Sequence, residues 1–89
     1  MNITVPASLR QLTQGRAAVQ AAGATIRELL ADLERQYPGL QARLCDEHGN
    51  PRKFMALFVN GRDIRTLQGA GTTLSGSEEI VIVAAIAGG

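Results

Sequence analysis

Few side chains in this sequence could carry out chemistry, and most of them fail on spacing. Cys45 and His48 are its single cysteine and single histidine. A thiol–imidazole dyad needs a third group to orient the imidazole and a pocket to hold both. The neighbouring residues supply neither, so the pair reads as a half-buried thiol and a solvated loop imidazole. Cys45-Asp46-Glu47-His48 has no second set of ligands at metal spacing elsewhere, and no metal is expected. Gly69-Ala70-Gly71 opens a G-x-G, but Leu74 stands where a third glycine is needed and no helix is expected to follow. Glu78 and Glu79 are adjacent, so a strand points them to opposite faces and they form no catalytic pair.

What remains is the ending "IVIVAAIAGG". An apolar run from Ile80 to Ile86 gives way to Ala87, Gly88 and Gly89. An α-carboxyl group ordinarily ionises at a pKa of about 3.3–3.7, so it is a carboxylate at neutral pH and a poor electrophile. Another enzyme can make it reactive, most simply as an acyl-adenylate. A narrow activation channel favours glycine, which has no Cβ and accepts any backbone conformation. The residues alone leave two readings open: a frayed end without purpose, or a reactive terminus presented by a rigid body.

Composition narrows the choice. Eighty-nine residues with 45% hydrophobic content suit one small folded domain. Such a chain buries roughly 60–65% of its unfolded surface, enough for one core but not for a deep catalytic cavity as well. Its own catalysis is therefore not expected. A net charge of +1 leaves no electrostatic footprint for nucleic acid. Tyr37, Phe54 and Phe58 are too few and too scattered to stack bases. A single cysteine excludes an internal disulfide and suits a reducing compartment. With no secretory pattern at the start and no apolar run long enough for a bilayer, a cytoplasmic location without membrane contact is expected.

The elements that must position the ending follow from periodicity. Residues 1–5 alternate as a strand that Pro6 ends. Residues 6–16 read as a loop anchored by Leu9 and Leu12. A weaker strand, Ala17 to Ala21, pairs back on the first. Thr25 and Glu28 form a T-x-x-E capping box, and Ile26, Leu29, Leu30, Leu33 and Tyr37 make one apolar helical stripe. Arg27, Asp32, Glu34 and Arg35 read as its solvated side. Pro38-Gly39 stops the helix, and Leu40 and Leu44 suggest a short helical turn. Residues 46–52 read as a polar loop, and Phe54 to Val59 as a buried strand. Asn60-Gly61 gives a type I′ hairpin turn, with Arg62 to Arg65 as the return strand. Residues 66–78 read as loop and Ile80 to Ile86 as the last strand. This order predicts an α+β fold, a two-layer β-grasp (ubiquitin-like) domain. It has one main helix on a mixed sheet of four to five strands. The expected division is residues 1–86 as the domain and residues 87–89 as a flexible diglycine tail.

Alternation also predicts a surface. Met55, Leu57 and Val59 share one face of their strand, and Phe54, Ala56 and Phe58 the other. Val59 should face the helix and Phe58 should face out. Ile80 and Ile82 then point in, and Val81 and Val83 point out. Phe58, Val81 and Val83, with Ile86 beyond them, make a candidate docking patch beside the tail. The alternative is a face covered by a loop or a second subunit.

The opening "MNITVPASLRQLTQG", the helix "TIRELLADLERQYPGL", the hairpin "FVNGRDIR" and the ending "IVIVAAIAGG" together resemble the ubiquitin-like sulfur carrier family over the whole chain. That family includes the thiamin-pathway carrier, the molybdopterin synthase small subunit and the cysteine-biosynthesis carrier. "NGRDIR", "AIAGG" and the length look most like the last of these. The sequence departs at Ser75-Gly76-Ser77-Glu78, where the family often has Asp-Gly-Asp, and at Ala84-Ala85, where it often has proline.

The resemblance implies a protein that is not an enzyme and binds no permanent cofactor. A ubiquitin-activating-like enzyme would adenylate Gly89 with ATP, and sulfur would then replace one carboxylate oxygen. The thiocarboxylate would donate sulfide to a sulfur-accepting biosynthetic enzyme, most directly in making cysteine or a related sulfur metabolite. A metalloprotease that trims the C-terminus would be a further partner where residues once followed Gly89. Three other functions stay open at this point: a covalent modifier of protein lysines, a synthase subunit that keeps its tail inserted, and a binding module with an incidental tail.

Overall fold

Thr25 starts the main helix. Its backbone is extended, and its hydroxyl accepts the Glu28 N–H at 3.2 Å. Glu28 reaches back to the Ala24 N–H at 3.1 Å, one residue before the cap, so the expected box forms displaced by one position. In this computed structural model, which describes residues 1–84, the helix α1 spans Ile26–Gln36. Ile26, Leu29, Leu30 and Leu33 are all fully buried. Gly23 precedes the helix because nothing larger fits: a Cβ there would lie 2.4 Å from the Leu29 nitrogen.

The sheet has five strands: β1 Asn2–Thr4, β2 Ala18–Gln20, β3 Met55–Val59, β4 Arg62–Asp63 and β5 Glu79–Ala84. Their spatial order is β2-β1-β5-β3-β4. β1–β2, β3–β4 and β3–β5 are antiparallel, and β1–β5 is parallel. The sheet is mixed and β5 occupies its centre. Ile3, Val19, Leu57, Val59, Ile80 and Ile82 line the face beneath the helix and are buried. A second helix, α2 at Leu40–Leu44, adds two buried leucines. This is the expected β-grasp.

Several local expectations change. The loop 6–16 contains a 3-10 helix, Ala7–Thr13, because Leu9 is drawn fully into the core. The buried Thr13 hydroxyl lies within hydrogen-bond reach of the Arg10 and Arg16 carbonyls. The return strand is shorter than Arg62 to Arg65. Asp63 Oδ1 accepts the Arg65 N–H at 2.9 Å and caps a 3-10 turn, Ile64–Thr66, that buries Ile64. Loop 66–78 holds another such turn, Gly69–Gly71, and is pinned to the helix start by Ile26 N–H to Thr72 O (3.0 Å) and Leu74 N–H to Ala24 O (2.8 Å).

Two side chains assigned to solvent are structural. Asp32 Oδ2 accepts the Ala22 N–H at 2.9 Å, and Glu34 accepts the Gly39 and Gln41 N–H groups at 2.9 and 3.0 Å. Donors beyond the helix ends, not periodicity, decide these roles: Ala22 precedes α1 and Gly39 and Gln41 follow it.

Leu30 and Leu33 carry much of the core contact of α1. Leu30→Ala or Leu33→Ala should each cost about 2–5 kcal/mol in chemical denaturation. A loss below about 0.5 kcal/mol at both positions would place the stripe outside the core.

Candidate functional site

The central strand organises the candidate surface. Each β5 residue has partners on one or both flanks, so its side chains have fixed neighbours. Leu57 pairs with Ile82 and Val59 with Ile80 on the inner face. On the outer face Phe58 stands opposite Val81, and Ala56 opposite Val83. Val81 has Thr4 as its partner on the β1 side, and Phe58 has Asp63 on the β4 side. The sequence-derived faces therefore hold at Phe58, Val81 and Val83, which the structure brings together. Phe58 and Val81 are half-buried and Val83 is 42% exposed. The buried side chains of α1 cluster with the inner-face residues, and Phe58, Val81 and Val83 stand outside that cluster. The expected strand to Ile86 is described as far as Ala84; residues 85–89, and with them the site positions Ile86, Ala87, Gly88 and Gly89, lie outside the described residues.

The patch continues past the predicted residues. Phe54 lies just before β3 and is 48% exposed. With Met55, Ala56, Arg65 and Val83 it lines a shallow cleft. Alternation already placed Phe54 and Ala56 on this face. What the sequence hid is that Phe54 takes a positive φ of 70°, so the strand begins at Met55 instead. Such a φ is expected of glycine or asparagine, not of a bulky side chain.

The hairpin end is locked to the same strand. Asn60 and Gly61 have φ of 50° and 83°, as a type I′ turn requires. Asn60 donates its N–H to Glu79 O, and its Oδ1 accepts the Glu79 N–H, both at 2.9 Å. The turn before β5 is closed by its own carboxylate. Glu78 accepts the Ser75 N–H at 2.7 Å and the Gly76 N–H at 2.9 Å. These bonds favour the ionised form and hold the Glu78 pKa at about 2, well below its ordinary 4.5.

Cys45 and His48 are not brought into a dyad. Cys45 is buried, and burial pushes its thiol up to about 11, with the nearby Asp46 charge adding to the shift. Its thiolate is scarce at neutral pH. His48 is exposed on a turn held by Asp46 Oδ1, which accepts the His48 and Asn50 N–H groups. Among the described residues no cluster of three or more His, Cys, Asp or Glu could hold a metal. No helix of the described chain is long and apolar enough to cross a membrane.

Comparison with known proteins agrees with this architecture. The model of the ThiS family matches residues 3–89. The sulfur carrier protein CysO of Mycobacterium tuberculosis is 37% identical over 93 aligned positions, covering all of both chains. A chain in the crystal structure of the Amycolatopsis orientalis BexX/CysO complex superposes with a TM-score of 0.92 at 33% identity, covering 99% of this chain and 98% of that one. The small archaeal modifier protein 1 of Methanosarcina acetivorans superposes at 0.79 with 28% identity, covering 99% and 94%.

The Glu78 turn gives a pH test. Its depressed pKa stabilises the fold above about pH 4.5, and that stability drains away as pH falls toward about 2. Glu78→Gln should lower the urea midpoint at pH 7. The gap from the unaltered chain should shrink as pH falls through that window. An equal gap at pH 7 and pH 2 would mean that the carboxylate does not close the turn.

Proposed function

The chain belongs to the ThiS family, and from that membership we propose that it is a sulfur carrier protein acting through its Gly89 carboxylate. The observation that carries this reading is the full-length relationship to the sulfur carrier protein CysO, 37% identical with no part of either chain left over. The chemistry of the ending supports the reading too. Gly88 and Gly89 carry no side chain to obstruct a narrow active site.

In the reaction so proposed, the Gly89 carboxylate attacks the α-phosphorus of ATP in an adenylating enzyme and pyrophosphate leaves. The acyl-adenylate is an electrophile. Hydrosulfide adds to its carbonyl, AMP departs with one of the original oxygens, and loss of the proton leaves a thiocarboxylate. That group then gives up its sulfur to an acceptor enzyme's substrate, in cysteine synthesis or the making of a related sulfur metabolite, and hydrolysis by one water molecule supplies the oxygen that restores the carboxylate. The chain itself contributes no acid, base or metal to these steps. It presents the group and is recognised, with Phe58, Val81, Val83 and Ile86 as the docking surface. The solved relative in a complex with BexX supports the presence of a protein partner.

The likeness to a small archaeal modifier protein supports a second reading. There the same acyl-adenylate ends in an isopeptide bond with a lysine amine of another protein.

Deleting Gly89 tests the terminal-carboxylate chemistry. The shortened chain keeps a glycine carboxylate but loses up to about 3.3–3.6 Å of reach. A displacement of even about 1 Å can cost on the order of 100-fold in a positioned reaction. ATP–pyrophosphate exchange with the cognate adenylating enzyme should fall to background while circular dichroism stays unchanged. Val83→Asp should also keep the fold, since that side chain is exposed, and should weaken exchange by raising the KM for the carrier. Normal exchange by the folded deletion variant would refute the mechanism.

A further inference from the structure

We propose that Phe54 is an anchor for the adenylating enzyme, its ring seating in an apolar pocket of that enzyme whose rim is acidic and meets Lys53 and Arg65. This rests on the sulfur-carrier reading and adds to it a residue and a partner chemistry. Phe54 incurs two costs at one position. Its φ of 70° is left-handed, where a bulky L-residue is strained. The residue is 48% exposed, so full burial does not offset the strain. The ring does not belong to the core or to the apolar side chains packed around it. The fold itself therefore gains nothing evident from a phenylalanine here, and glycine would adopt the same backbone without strain.

The position is suited to recognition. Phe54 immediately precedes Met55, and Met55 is the register partner of Ala84. Phe54 thus sits at the end of the sheet where the described part of β5 stops. It shares a cleft with the exposed Val83. An enzyme that takes hold of the chain beyond Ala84 must pass this corner.

Charge identifies the partner's rim. Lys53 Nζ lies 5.3 Å from the centre of the Phe54 ring. Arg65 lines the same cleft; its guanidinium donates to Met55 O, and its side chain remains 54% exposed. Asp63 is the acidic group facing Arg65. Its Oδ1 already accepts the Arg65 N–H and lies 4.0 Å from Arg65 Nε, and its side chain is only 26% exposed. The exposed charge around the ring is therefore positive. An apolar pocket edged by carboxylates complements both the ring and its surroundings.

The test uses the full chain and its cognate adenylating enzyme in steady-state ATP–pyrophosphate exchange. Phe54→Gly preserves the backbone conformation and removes only the anchor. It should keep Tm within about 4 °C of the unaltered chain. The KM for the carrier should rise about 10-fold or more, with kcat within about twofold. Lys53→Glu should raise KM several-fold and flatten its dependence on salt. A wild-type KM for Phe54→Gly overturns the proposal. So does loss of cooperative folding by that variant, which would make the ring structural. An unchanged KM and salt dependence for Lys53→Glu overturns the acidic rim. No exchange by the unaltered chain overturns the carrier reading, and the anchor with it.

Discussion

Everything on the candidate surface depends on the position of β5. It is bonded to β1 in parallel and to β3 antiparallel, so it is the middle strand of five. Edge strands can fray or slip, whereas a strand paired on both sides has its register fixed twice. A slip by one residue would exchange every inward and outward side chain. Ile80 and Ile82 would then leave the core, and Val81 and Val83 would enter it. The buried pairs Leu57–Ile82 and Val59–Ile80 oppose that slip directly. The apolar core beneath the sheet thus sets what the opposite face displays.

Polar side chains reinforce this arrangement where backbone groups would otherwise be left unpaired. Asn60 bonds both backbone groups of Glu79, where β5 begins. Glu78 closes the preceding turn with two N–H groups. On the far side of the sheet, Gln36 Nε2 donates to Gln20 O and Asp32 accepts the Ala22 N–H. These bonds use outward-facing groups of the β2 edge, which would otherwise invite pairing with another chain. On the outer face of β3 and β5, Phe58, Val81 and Val83 stand outside the buried core cluster. The molecule's polar groups are spent on fixing the strands, and its exposed apolar groups are concentrated beside the end of the last one.

Much of this was legible in the sequence because it rests on strong local signals. The stripe from Ile26 to Leu33, the Thr25 cap, the Asn60-Gly61 turn and the period-two alternation around Phe58 and Val81 each have a single geometric solution. The cap itself falls at Thr25 as expected; only the return bond of Glu28 lies one residue earlier, because a glutamate side chain can reach either Ala24 or Thr25. The 3-10 segment at Ala7–Thr13 was missed because Leu9 and Leu12 are spaced as well for loop anchors as for a helical turn. The structural roles of Asp32 and Glu34 depend on donors at Ala22 and Gly39, beyond the ends of the helix. Periodicity within the helix cannot reveal them. Phe54 was hidden most deeply, since no residue-type preference predicts a left-handed phenylalanine. At Gly89 residue type and position suggested an activatable carboxylate, the resemblance added sulfur to it, and the family relationship supports a sulfur carrier.

In the proposed function Gly89 carries sulfur. Intact-mass spectrometry of the purified chain, after incubation with its adenylating enzyme, ATP and a sulfide source, tests it most directly. Fragmentation of the C-terminal peptide then locates any change. A single oxygen-to-sulfur exchange, confined to Gly89 and dependent on ATP, is the expected result. An unchanged mass under conditions where pyrophosphate is released, or a ladder of lysine conjugates in place of the exchange, would contradict it.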